Sequence, residues 1–287
     1  MTPPGPRKKV ALVIGAGSVK CAASLGLQEV LVREGIGVDM VVGCSAGAIY
    51  AALIAMGRGA EESAAMTARL WTKEVTSQRD PFALFRAFFG GFLRRGRGGS
   101  FGLRKDALIM RRLRDAFGDM RIEDAKIPLY ITATDLATGD QAVLDRGSVV
   151  DAIRASISLP YIFKPFRIGD RTLVDGFLSD PLPVNVAIRE GAGLIVAMGF
   201  ESPYQRRFDS FGRLSFQLSS IMTNNLLRSR FAMHSLSHHE EVILVAPEFG
   251  RRVRLFDTEK IPYVIEEGRK AAEAQVPYLR RILAAAG

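Results

Sequence analysis

Cysteine is scarce: Cys21 and Cys44 are the only two in 287 residues. That excludes a disulfide-stapled scaffold and points to a reducing, cytoplasmic setting. The histidines, His234, His238 and His239, share no zinc-ligand spacing with either cysteine, so neither a metal nor another cofactor is expected. Apolar runs of the ~20 residues needed to cross a bilayer are missing, which excludes a membrane-spanning helix. The opening "MTPPGPRKKV" lacks a separate apolar segment ending in a cleavage site. Residues 1–8 therefore read as a flexible lead-in rather than a signal peptide. Internal repeats and long linkers are also wanting, so 9–287 is expected to be one domain.

Acidic charge is in short supply too. Lys and Arg number 39 against 30 Asp and Glu, a net charge of +9. The basic residues are spread along the chain without a nucleic-acid-binding motif, so no nucleic-acid partner is expected. Their densest cluster is "PFALFRAFFGGFLRRGRGGSFGLRK", residues 81–105, interleaved with phenylalanines. Phe82, Phe85 and Phe89 fall on one helical face, with Gly90-Gly91 as a hinge. The segment reads as a candidate lid that inserts phenylalanines into a lipid interface while arginines meet anionic head groups. A core-facing helix followed by a basic loop is the plainer alternative.

What the chain does have is an alternation of short apolar runs and helical periodicity. "KVALVI" (9–14), "VDMVV" (38–42), "IPLYITATDL" (127–136), "AVLD" (142–145), "RTLVDG" (171–176), "GLIVAMGF" (193–200) and "EVILVAP" (241–247) read as strands. Helices are expected at about 22–34, 46–56, 61–76, 149–160, 210–236 and 259–286. This order predicts an α/β fold with a mainly parallel sheet covered by helices.

Within that frame, "VVGCSAGAIY" (41–50) places Gly-x-Ser-x-Gly between a strand and a helix. Gly43 and Gly47 let strand and helix approach closely while Ser45 projects from the bend, where a helix N-terminus favours developing negative charge. "GAGSVK" (15–20) follows the first strand and opens the first helix, a context in which backbone amides face an anion. It is a poor dinucleotide fingerprint, because Lys20 stands where the third glycine belongs. Gly15, Gly17 and Ser18 are instead the candidate oxyanion donors. Two readings of the base are open. Asp175, followed by Gly176 in "LVDG", serves Ser45 directly, or it completes a triad with His234, His238 or His239 in the chain order of an α/β-hydrolase.

The three motifs in this order resemble the patatin-like phospholipases. "VIGAGSVKCAASLGLQEVL" resembles their glycine-rich segment, "GCSAG" their nucleophile elbow and "LVDG" their Asp-Gly signature. "IRASISLPYIFKPF", "ATDLATGD" and "EEGRKAAEAQVPYL" resemble bacterial members. The resemblance implies a three-layer α/β/α fold and a Ser45–Asp175 dyad, with Lys20 as the basic support of the loop. It implies a fatty acyl ester substrate, and the basic, phenylalanine-rich segment 81–105 adds the expectation of a peripheral protein at an anionic membrane surface. Departures from the pattern are Lys20 for arginine, Cys21 for glycine, and Phe177 for the small residue after Asp-Gly. A catalytically weak lipid-binding or regulatory protein of the same fold is the rival that these departures suggest.

Overall fold

The five residues of β1 (Val10–Ile14) are all buried, and their side chains alternate between two separate cores. Val10, Leu12 and Ile14 enter the larger core and Ala11 and Val13 the smaller, as the period of two requires of a strand covered on both faces. A computed structural model describes residues 8–70, 106–160, 162–201, 204, 211–236, 241–254 and 257–285. The segment 81–105, read above as a lid, lies outside them.

Among the described residues the sheet has eight strands. β2 (Met40–Cys44), β3 (Leu129–Asp135), β7 (Leu194–Met198) and β8 (Glu241–Val245) run parallel with β1 in the order β3-β2-β1-β7-β8. β4 (Gln141–Leu144) and β6 (Arg171–Asp175) both pair antiparallel with β3, and β5 (Phe166–Ile168) pairs antiparallel with β6. The sheet is mainly parallel, as expected. β5 was not anticipated, since three residues are too few to show a period of two.

Helices α1 (Ala23–Arg33), α2 (Ala46–Ala55), α3 (Ala60–Leu70), α4 (Asp106–Phe117), α5 (Val149–Ser156) and α8 (Ile261–Ala285) build the larger core. Helix α6 (Val184–Arg189) and Leu227 of α7 (Phe211–Leu236) close the smaller one. This gives the three layers. α2, "AGAIYAALIA", is buried on every side, which its lack of any polar face requires. α1 and α8 cross closely: a side chain at Gly26 would meet the Ile265 carbonyl, and one at Gly268 the Ala23 carbonyl. The helix expected over 149–160 ends at Ser156, and the residues after it turn back so that the Ser158 carbonyl accepts the Asp175 amide at 3.1 Å.

The registers around β3 position the site. β4 shares Ile131 and Thr132 with β2, and Ala133 and Thr134 with β6. A strand has only two edges, so β2 and β6 follow each other along the edge opposite β4. Cys44, the last residue of β2, pairs with Thr132, and Asp175, the last of β6, pairs with Ala133. Two strands running in opposite directions thus meet end to end, which brings residues 130 positions apart in sequence to one point.

Candidate active site

Ser45 sits where β2 turns into α2, with φ 55° and ψ −130°. A serine in the left-handed half of the map is strained, and only tight packing around it holds it there. That packing leaves no room for side chains at the flanking glycines. A Cβ on Gly43 would lie 2.6 Å from the Ala48 Cα, and one on Gly47 would lie 2.6 Å from the Gly15 carbonyl oxygen and meet the Ile14 carbonyl as well. The Ser45 amide donates to Ser156 Oγ at 2.8 Å, and Ser156 Oγ in turn donates to the Thr132 carbonyl at 2.7 Å. The bend is therefore fixed from α5 and β3 as well as from its own strand.

The half-buried Ser45 hydroxyl that this bend presents donates to Asp175 Oδ2 at 2.8 Å. The contact is direct, with no histidine between the two side chains. His238 and His239, members of the alternative triad, lie outside the described residues. Asp175 is only 1% exposed, and its other oxygen accepts the Phe177 amide at 3.1 Å. Burial pushes its carboxyl up to about 7, and the hydrogen bonds from Phe177 and Ser45 offset only part of that. Gly176 follows because a Cβ there would stand 2.5 Å from the Thr132 carbonyl oxygen and 2.9 Å from Cys44 Sγ. Phe177 keeps its amide on Asp175, so the bulky ring does not undo the turn.

The glycine-rich loop divides its work differently from the sequence reading. The Gly15 amide donates to the Met198 carbonyl at 2.9 Å, extending the β1–β7 ladder, and the Ala16 amide donates to the Pro181 carbonyl at 2.8 Å. Gly15 is thus corrected from donor to spacer: its N–H is engaged, and a side chain there would lie 2.7 Å from the Pro181 oxygen. Gly17 packs against the Phe200 ring, which a Cβ would strike. Ser18 has φ 58°, and it and Ser45 are the only non-glycine residues with positive φ among those described. Two strained serines thus mark this one part of the molecule. Lys20 is engaged elsewhere. Its ammonium donates to the Glu201 carbonyl at 2.9 Å and lies 5.7 Å from the Phe249 ring centre, with its pKa lowered by burial. Cys21 replaces glycine without disruption, its buried thiol donating to the Gly15 carbonyl at 3.3 Å.

Sequence reasoning missed the polar residues behind the dyad. Ser156 reads in the sequence only as part of a helix, and nothing in "IRASISLP" marks it as the acceptor of the Ser45 amide. Asp180 had a better signal, an Asp-Pro pair five residues after Asp175. It is buried, its Oδ1 accepts the Leu182 amide at 3.1 Å, and its carbonyl accepts the Cys44 thiol at 3.3 Å. Burial pushes its carboxyl up to about 6, with Arg230 of α7 opposing the rise. The turn at Asp180–Leu182 thus holds both the end of β2 and, through Pro181, the glycine-rich loop.

Known proteins are similar to this chain in sequence. The chain is 30% identical over 191 residues to an uncharacterized NTE family protein of Mycobacterium tuberculosis, covering 67% of this chain and 30% of that one. It is 27% identical over 210 residues to the patatin-like phospholipase domain-containing protein 6 of Mus musculus, covering 71% of this chain and 14% of that one. The chain therefore spans less than a third of either relative. Among solved structures, VipD from Legionella pneumophila aligns with a TM-score of 0.47 at 13% identity, covering 96% of this chain and 68% of that one. The family model described as patatin-like phospholipase matches residues 12–188, a stretch that holds the glycine-rich loop, the Ser45 elbow and Asp175 together, and to that family the chain belongs.

Proposed function

We propose that the chain is a serine acyl hydrolase that cleaves fatty acyl esters of lipids through a Ser45–Asp175 dyad. The observation that carries this reading is the direct 2.8 Å hydrogen bond from the strained elbow serine to a buried carboxylate whose pKa is raised to about 7. A base poised near neutral pH accepts a proton and gives it back with little bias either way.

In the forward step Asp175 takes the Ser45 proton while Ser45 Oγ attacks the ester carbonyl. The oxyanion forms at the N-terminus of α2, where the helix dipole favours it, and the amides of Gly17 and Ser18 are the proposed donors. Collapse breaks the ester bond, and the proton on Asp175 passes to the departing alcohol. Water then gives a proton to Asp175 and attacks the acyl-enzyme, and as the acyl–Oγ bond breaks that proton passes from Asp175 to Ser45 Oγ, releasing the fatty acid and restoring both side chains. By family, the acyl ester is that of a phospholipid, a lysophospholipid or a neutral lipid. In this reading the protein is a peripheral, cytoplasmic enzyme that meets its substrate at a lipid surface. Among the described residues no helix is long and apolar enough to cross a membrane.

Labelling with a fluorophosphonate, followed by peptide mapping, tests the nucleophile, and a panel of acyl esters tests the substrate class. Modification confined to Ser45, lost in Asp175→Asn, is the expected result. Turnover that survives Ser45→Ala would refute the assignment, and binding of lipid without labelling would favour the regulatory rival.

A further inference from the structure

Helix α7 has buried polar side chains and exposed apolar ones. Its inward side carries Ser220, Thr223 and Asn224, all buried, beside Leu227. Its outward side carries Leu214 (44% exposed), Leu218 (52%), Ile221 (38%) and Met222 (71%). These four recur at i, i+4, i+7 and i+8, so they form one stripe about 12 Å long at about 1.5 Å per residue. A surface helix of a water-soluble protein has the opposite arrangement, and clustered large apolar side chains on a surface mark something that covers them.

Charge identifies what that is. Across Phe211–Leu236 the helix carries no acidic residue, within a chain of net charge +9. A chain of net charge +9 is repelled at long range by a second copy of itself and attracted by an anionic lipid surface. The helix is also tied to the site. Arg228 donates through Nε and Nη2 to Glu201 Oε1 at 3.1 and 2.8 Å, and the Glu201 carbonyl holds Lys20 of the glycine-rich loop.

We infer that the Leu214–Leu218–Ile221–Met222 face of α7 is the surface by which this protein docks on an anionic lipid bilayer. The inference rests on the acyl hydrolase reading for its choice of a lipid partner. The apolar stripe enters the boundary between head groups and acyl chains, and the Arg228–Glu201–Lys20 connection keeps the glycine-rich loop in fixed relation to it.

The test uses the full chain and vesicles of equal parts phosphatidylglycerol and phosphatidylcholine. Leu218→Gln/Met222→Gln should weaken co-sedimentation at least tenfold while hydrolysis of p-nitrophenyl butyrate stays at the wild-type rate. Val32→Gln on α1, at a position 71% exposed, should bind as wild type does. Met222→Cys can be labelled with an environment-sensitive dye, because Cys21 and Cys44 are buried. Its emission should shift to the blue on the vesicles and return when salt releases the protein. Unchanged binding by the double variant, an equal loss in Val32→Gln, or an unshifted dye on sedimented protein would each overturn the docking face. So would a wild-type dimer that the double variant converts to monomer, since that assigns the face to a second copy. Ester turnover that survives Ser45→Ala while these binding results hold would remove the hydrolase reading and leave the docking face standing.

Discussion

At the nucleophile corner a carboxylate is buried with two hydrogen bonds for company, while along α7 leucine, isoleucine and methionine face outward and serine, threonine and asparagine face in. Both regions depart from the ordinary sorting of polar and apolar groups, but by different means. Asp175 is held in place by backbone: its amide is fixed by Ser158, its strand by β3, and the glycine after it by the Thr132 carbonyl. On the outward face of α7, four apolar side chains among the described residues stand exposed. Buried groups that a structure over-determines tend to do chemistry, and exposed apolar groups tend to meet a partner. Substitutions in the two regions should therefore differ in kind as well as in size.

The largest effects belong to the dyad. Ser45→Ala and Asp175→Asn should each lower kcat/KM on p-nitrophenyl butyrate by on the order of 10⁴ or more, as loss of one member of a catalytic unit does. Circular dichroism should be unchanged. Alanine at His234, His238 and His239 together should leave most of the rate, and a folded but inactive triple variant would restore the histidine triad. The wild-type pH profile follows from the base. Asp175 acts only when ionised, so kcat/KM should be level above about pH 7 and fall tenfold per unit below it. A profile flat to about pH 5 would contradict a buried aspartate as the base.

Next in size is the elbow. A methyl group at Gly47 meets the carbonyl oxygens of Ile14 and Gly15, which are backbone atoms and cannot swing aside. Gly47→Ala should cost about 3–4 kcal/mol of stability in a urea titration, near the upper end for point substitutions. A loss below about 1 kcal/mol would mean that the corner yields, and the argument from over-determination would fail there.

Asp175 itself should be a liability to stability, which sharpens the contrast with α7. Its pKa rises from 3.8 unfolded to about 7 folded, so between those values the folded state holds a proton that the unfolded state lacks. Its contribution to stability is fully present below about pH 4, declines as pH rises and levels off above about 7. The amide introduced by Asp175→Asn does not titrate, and every other group is shared by the two proteins. The stability gained by the substitution should therefore be about 2–3 kcal/mol larger at about pH 8 than at about pH 5, at about 1.4 kcal/mol per unit. Equal gains at both pH values would place the Asp175 pKa near its unfolded value.

The sheet was legible in the sequence because its strands are short, apolar and bounded by turns, and the site was legible because each of its motifs marks a strand end. What could not be read was direction. "LVDG" reads the same whether β6 runs parallel or antiparallel to β3, yet only the antiparallel course delivers Asp175 to the end of β2. Nor does "GAGSVK" show which amides the sheet takes up: the engagement of Gly15 with Met198 depends on a strand from the far side of the chain. The inversion of α7 was hidden for a related reason. Its apolar stripe at i, i+4, i+7 and i+8 has the spacing of any amphipathic helix, and periodicity does not say which side faces the core.

The smallest expected effect bears directly on that helix. Leu218→Gln and Met222→Gln, made singly, should each change stability by no more than about 0.5 kcal/mol, the range for surface positions without special contacts. If the stripe were instead packed against the protein in solution, removing a buried leucine or methionine would cost about 2–5 kcal/mol. The two outcomes are far enough apart for a urea titration to separate them. The measurement must be made without lipid, because a bound bilayer would stabilise the wild type through mass action and mimic a packing loss. Repeating it with phosphatidylglycerol vesicles turns that complication into a second readout. The wild type should then gain stability that neither variant gains in full, whereas at Gly47→Ala the loss should persist with or without the vesicles.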